Sequence, residues 1–374
     1  IMKKTLIAVA ALSAMAASAM AANVMVYGLI DIGFNYQHNK VDGEKAVSSF
    51  TMATGQNSGS RYGFKGTEEL GNGTTVGFLL EGGFESDTGI LDETNNVFRR
   101  EANLYVTTDF GTLSLARVGA LTSGTGSYNL LKYAAFGSGW GDSTAKQADF
   151  MLGDRARMDN TITYVTPSFS GVKAYIQYSF QRTGKEAVGN ERQNNRYAGF
   201  GLSFNQGAFS TALVVDSVLN NSKATNKDDS LGVTWGASYD FGVAKLFAQA
   251  QYGKHENALG FKTSDLDTGD KDKLNEGYFK VLSNDGIKGY AASLGVTAPV
   301  AGGTILAQVN YLDSKTESDV DFESAVKGVG KLNKGQGSAK TKNYGIAVGY
   351  TYPFSKRTSV YSYASYSHMK ATLT

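Results

Sequence analysis

The chain has 374 residues, no cysteine, 36 basic and 34 acidic side chains, and a formal charge of +2. Without cysteine there is no disulfide framework, thiol nucleophile or cysteine-based metal site. A near-neutral chain also offers nucleic acid no bulk electrostatic attraction.

The chain opens on a targeting segment. Lys3 and Lys4 precede a short apolar run, Thr5–Ala17, and Ala19-Met20-Ala21 fits a small-x-small cleavage site. That run is too short to cross a bilayer as a helix, so residues 1–21 are expected to be a secretory signal peptide. Residues 22–374 are then one folded domain.

From there the pattern is that of strands. Val172, Ala174, Ile176, Tyr178 and Phe180 alternate with Lys173, Tyr175, Gln177 and Ser179. Leu231, Val233, Trp235, Ala237, Tyr239 and Phe241 alternate with Gly232, Thr234, Gly236, Ser238 and Asp240. Tyr290–Thr297 and Asn343–Tyr352 repeat the pattern. Strand side chains alternate with period two, so each segment carries one apolar and one polar or small-residue face.

Connections alternate between short and long. Tight turns are expected at Gly71-Asn72-Gly73, Asp109-Phe110-Gly111, Pro167–Gly171, Asn205-Gln206-Gly207, Asp240-Phe241-Gly242, Pro299–Gly303 and Pro353–Arg357. All three prolines fall there, where a fixed φ helps and no ladder donor is lost. Longer polar stretches lie near 38–58, 86–97, 119–156, 182–195, 217–230, 253–288 and 313–341. Short internal turns and long external loops, with an apolar face outward and a polar face inward, describe an all-β transmembrane antiparallel barrel. Seven turns and seven loops join about fifteen strands, and because single-chain barrels favour even counts, a 16-stranded architecture lacking its last strand is expected.

Four stretches carry a resemblance. SRYGFKGTEELG (60–71), FLLEGGF (78–84), DFGTLSLAR (109–117) and RMDNTITYVTPSFSGVKA (157–174) resemble the Gram-negative general porins. The likeness runs from about Val24 to the end and is strongest in the first half. It implies a homotrimeric outer-membrane diffusion channel for small hydrophilic solutes and ions, lying in lipid and lipopolysaccharide and needing no cofactor. It further implies a third external loop folded into the barrel, facing wall arginines across a constriction.

By motif, Arg61, Arg157, Arg100 and Arg117 align with family wall arginines, and Glu81 with a family acid. Alternation agrees for Arg61 and Glu81, and it places Arg157 and Arg155 inward with Thr161 and Thr163. It selects Arg99 rather than Arg100, so both stay open, with a bulge able to reconcile them. Arg117 shares the parity of Leu113 and Leu115 and ranks last. The presumed loop, Val118–Gly141, carries Lys132 and no acid. Arginines facing so few acids favour anions. The alternatives are a channel selective for organic anions, with the arginines as a carboxylate ladder, and a plugged surface or adhesin barrel.

No enzyme is expected. His38, His255 and His368 lie far apart, and there is no G-x-S-x-G elbow, H-E-x-x-H pair or Walker loop. Asp265, Asp267, Asp270 and Asp272 crowd one loop with Gly269, a spacing that suits calcium oxygens but lacks the full EF-hand pattern.

Overall fold

The computed structural model describes residues 23–40, 45–92, 96–137, 139–140, 146–153, 156–187, 189, 194–220, 228–256, 285–321 and 336–373. The expected signal peptide, Arg155 and the 265–272 acidic loop lie outside the described residues.

Fifteen strands form one antiparallel sheet. In chain order they are Met25–Leu29, Arg61–Gly71, Thr74–Gly83, Glu101–Thr108, Gly111–Gly119, Arg157–Val165, Val172–Ser179, Arg196–Gln206, Phe209–Leu219, Leu231–Asp240, Lys245–Glu256, Ile287–Val300, Gly303–Thr316, Ala339–Pro353 and Ser359–Leu373. Each pairs with its neighbour in that order, so the topology is a simple up-and-down meander. All seven expected tight turns fall between paired strands. Asn72-Gly73, Ser170-Gly171 and Ala301-Gly302 have positive φ at both residues, the primed-turn geometry that matches strand twist.

The stretch expected to be a loop near 38–58 holds a strand. Val47–Thr54 pairs with Ile32–Asn39 in a separate two-stranded sheet. Its Ser48, Ser49 and Thr51 read as loop composition, yet Phe50 and Met52 alternate with Ser49 and Thr51 and stay exposed. The chain then breaks at Gly55–Ser60 before rejoining the large sheet at Arg61.

The two faces of the sheet differ in chemistry. One face exposes Leu104, Leu115, Ile176, Phe200, Leu294, Ile346 and Tyr366, while Gln177, Gln249, Gln251, Gln308 and Asn310 are buried on the other. An apolar face left open to the surroundings and an amide-rich face turned inward are what a barrel wall in lipid requires. The two ends of the sheet also approach each other: Tyr361 on the last strand donates to Asp31, just past the first, at 2.6 Å.

Candidate functional site

The motif residues gather around one carboxylate. Glu81 Oε1 accepts Arg100 Nε at 2.7 Å and lies 3.8 Å from the Arg61 guanidinium. Its Oε2 accepts the Tyr27 hydroxyl at 2.9 Å. Strand register brings this about, because Gly63 stands opposite both Tyr27 and Glu81. A Cβ on Gly63 would sit 2.5 Å from the Tyr27 ring, so only glycine lets the tyrosine cross to the acid. Arg61 is held further by Gly59 O at 2.9 Å and Ser58 Oγ at 2.6 Å.

Arg99 and Arg100 part company. Arg100 is buried on Glu81, whereas Arg99 meets Asp92 at 3.1 Å and its carbonyl accepts Arg117 Nε at 2.8 Å. Alternation alone misjudged the pair because the strand begins only at Glu101. Arg117 shares the face of exposed Leu113 and Leu115 and pairs with Asp159.

For Arg157 the alternation drawn from Thr161 breaks at Asn160, whose φ is +50, beside a register shift between Ala116 and Val118. Met158 is the residue buried against Ala120, Tyr197 and Val218. The charged groups that act on Arg157 are Arg100, Arg99, Glu81 and Arg117, and its Nε is buried with no hydrogen-bond partner.

The long connection after Gly119 lies against the inner face of the sheet. Glu101, cross-strand partner of Glu81 and only 4% exposed, is its anchor. It accepts Ser127 N at 3.1 Å, Ser127 Oγ at 2.5 Å and Asn103 Nδ2 at 3.0 Å. Motif reasoning passed over Glu101, although alternation with Asn103 and Tyr105 marked it as inward. The loop itself brings no acid to this end, yet it is seated on one.

Wall amides hold the rest of the loop. Gln308 accepts Phe136 N–H at 2.8 Å and donates to Phe136 C=O at 3.1 Å. Gln251 treats Leu152 in the same way, at 2.7 and 3.1 Å. A primary amide presents one donor and one acceptor side by side, so each glutamine pairs with a single residue much as a neighbouring strand would. Gln177 takes Leu121 N–H at 3.0 Å and donates to Gly119 C=O at 3.2 Å, and Thr122 donates to Asp216 at 2.8 Å.

Apolar packing completes the seat. Phe136, Trp140, Phe150 and Leu152 bury against Ile287, Leu306 and Leu312 of the wall. Tyr133 lies over Gly236, where a Cβ would come within 2.4 Å of the ring. Burial pushes the Tyr133 hydroxyl up to about 12, so it stays a neutral phenol. Lys132 is exposed beside a cavity of about 330 Å³ lined by Gly124, Thr125, Asn129 and Gly137. Among the described residues no cluster of side chains is arranged to hold a metal ion.

Comparison with known proteins places this arrangement in context. The profile of the Gram-negative porin family matches residues 8–372. An outer membrane porin protein of Bordetella pertussis is 33% identical over 401 aligned positions, covering 98% of this chain and 94% of that one. Outer membrane porin protein 32 of Delftia acidovorans is 29% identical, covering 96% and 88%. Among solved structures, an anion-selective porin from Comamonas acidovorans superposes with a TM-score of 0.61 at 25% identity, over 93% of this chain and 90% of that one.

Proposed function

We propose that this chain, which belongs to the Gram-negative porin family and is an outer-membrane porin, passes small hydrophilic solutes and ions by diffusion through a constriction that favours anions. The constriction is formed by the inward-lying third loop and the arginine side of the wall. It sieves by size and biases by charge, with no turnover.

The observation that carries this reading is the pairing of a loop seated on Glu101 with two guanidiniums that share one acid. Arg61 and Arg100 both lean on Glu81, Glu101 offsets the second of them while anchoring Ser127, and Arg157 beside them is the cation that leaves the wall net positive. Lys132 adds a cation from the loop. Fixed charges of one sign at a narrow point set ion preference. The printed description of the Comamonas porin, anion-selective, supports the same sign. Arg99 and Arg117 stand at the same end but are paired with Asp92 and Asp159.

A homotrimer is the assembly proposed, as the family resemblance implies. Phe34 and Phe50 stack at 5.6 Å and remain 68% and 69% exposed, an apolar face suited to a neighbouring subunit. Chemical cross-linking in mild detergent tests the assembly.

The test of the channel is the reversal potential of purified protein in a planar bilayer under a potassium chloride gradient. Chloride preference is the expected result. Potassium preference overturns the assigned charge balance, and folded protein without conductance overturns the channel.

A further inference from the structure

Three of the long connections meet at one imidazole. His255 stands near the end of strand Lys245–Glu256, where the register against Ile287–Val300 slips between Gly253 and Glu256. Its φ is +52, in the left-handed region that histidine enters more readily than most residues. Gly286, at φ +86, passes so close that a Cβ there would lie 2.7 Å from the His255 carbonyl carbon. These two distortions turn the ring in among the connections that follow Phe209–Leu219, Lys245–Glu256 and Gly303–Thr316.

Among the described residues, the groups that face the ring nitrogens are all acceptors. Nδ1 lies 2.9 Å from Glu317 Oε2 and 3.0 Å from the Asp285 carbonyl oxygen. Nε2 lies 3.6 Å from Asp228 Oδ2. Glu317 also accepts the His255 N–H at 2.6 Å, and its own N–H donates to Gly286 C=O at 3.0 Å. Asp228 belongs to the connection before Leu231–Asp240, where its carbonyl accepts Asn220 Nδ2 at 2.7 Å. The other charges at the junction are Lys288, 3.5 Å from Glu317 Oε1, and Lys254 and the buried Glu256 on either side of His255. Three carboxylates against two lysines leave the junction short of positive charge.

A neutral imidazole carries one N–H and an imidazolium two. Glu317 and Asp285 keep a proton on Nδ1 in either state. Without a second proton, Nε2 turns a lone pair toward the Asp228 carboxylate, and the two repel. With it, the same two atoms attract.

We propose that His255 is an acid-closed latch at the external mouth of the barrel. A proton gained at Nε2 ties Asp228, and with it the connection after Phe209–Leu219, to the junction that Nδ1 already holds with Glu317 and Asp285. Imidazole is the side chain that changes charge between about pH 5 and 8. The ring gains this carboxylate partner only when charged, so the contact is present at the acid end of that range and lost as pH rises through it. The latch stiffens the mouth in acid and leaves the Arg61–Arg100 end of the wall untouched. It needs the barrel architecture alone, not the charge preference of the pore.

The full chain, folded in detergent, is followed by amide hydrogen exchange at residues 228–230, corrected for intrinsic rates, at about pH 5.5 and about pH 8. Exchange is expected to be about two- to fivefold slower at the acid value, the range of an exposed ion pair. Asp228→Asn and His255→Asn abolish the difference, asparagine being compatible with a left-handed backbone at 255. Asp228→Glu retains it, and so does His38→Gln on the separate hairpin. If His255→Asn fails to fold, Asp228→Asn at its exposed position carries the test. The imidazole resonance of His255 is expected to titrate at lower pH in Asp228→Asn than in wild type. Equal exchange at both pH values in wild type overturns the proposal. So does an undiminished difference, or an unmoved imidazole midpoint, in Asp228→Asn.

Discussion

The Tyr361 hydroxyl donates 2.6 Å to Asp31 Oδ1, joining residues 330 positions apart at the two ends of the large sheet. Asp31 Oδ2 at the same time accepts Asn57 N–H at 2.8 Å and Ser58 N–H at 2.7 Å. The carboxylate therefore ties the first strand, the Gly55–Ser60 break and the last strand together. Ser58 and Gly59 hold Arg61 in turn, so the knot that draws the sheet ends together also fixes a candidate pore cation. Trp140 of the loop meets the Tyr361 ring edge-on at 5.6 Å, which brings the loop into the same contact.

Tyr361→Phe removes the donor and leaves a part-buried carboxylate with one partner fewer. The expected loss is about 1–3 kcal/mol, as for a charged hydrogen bond. It is read as a lower temperature for the heat-induced mobility shift on gels. An unshifted transition would mean that Asp31 is satisfied by its backbone donors alone.

Glu81→Gln releases two guanidiniums from their shared counter-charge. The chloride-to-potassium permeability ratio is expected to rise severalfold, matching about 1 kcal/mol for unit charges ~4 Å apart in water. An unchanged ratio would place the Arg61–Arg100 pair away from the ion path.

Glu101→Ala strips Ser127 of the acceptor for both its N–H and its hydroxyl. Loop 120–137 is expected to become sensitive to protease and the open channel to become noisier. The buried Asn103 amide also loses a partner, adding a cost of about 1–3 kcal/mol. Quiet channels and a resistant loop would shift the anchoring role to the wall glutamines.

Gln308→Leu orphans the N–H and C=O of Phe136 together, whereas Gln308→Glu keeps the acceptor and loses the donor. The leucine variant is expected to lose about 1–3 kcal/mol of stability, and the glutamate variant at least as much, because it buries a carboxylate oxygen against the Phe136 carbonyl and the Asn310 amide oxygen. Thermal melts in one detergent rank the three proteins.

Gly236→Leu places side-chain atoms where the Tyr133 ring now lies. Overpacking of this kind costs about 1–3 kcal/mol and moves the loop. Single-channel conductance is expected to change while the sheet remains intact by circular dichroism.

The sequence by itself determined most strands of the large sheet, their inward and outward faces, the seven tight turns and the apolar outer belt, but it read the Val47–Thr54 strand as loop. These are local matters: side chains alternate with period two, and a turn is written in its own glycine, asparagine and proline. The split of Arg99 from Arg100 and the break in alternation before Arg157 were not legible, because a late strand start or a bulge flips parity without changing composition. Tertiary structure alone decided what the loop rests on. Gln308 and Phe136 are separated by 172 residues, and nothing local to either names the other. Only the meander's register brings wall amides, a lone glutamate and a wall glycine beneath that loop, since such contacts depend on where distant strands meet rather than on any one strand's pattern.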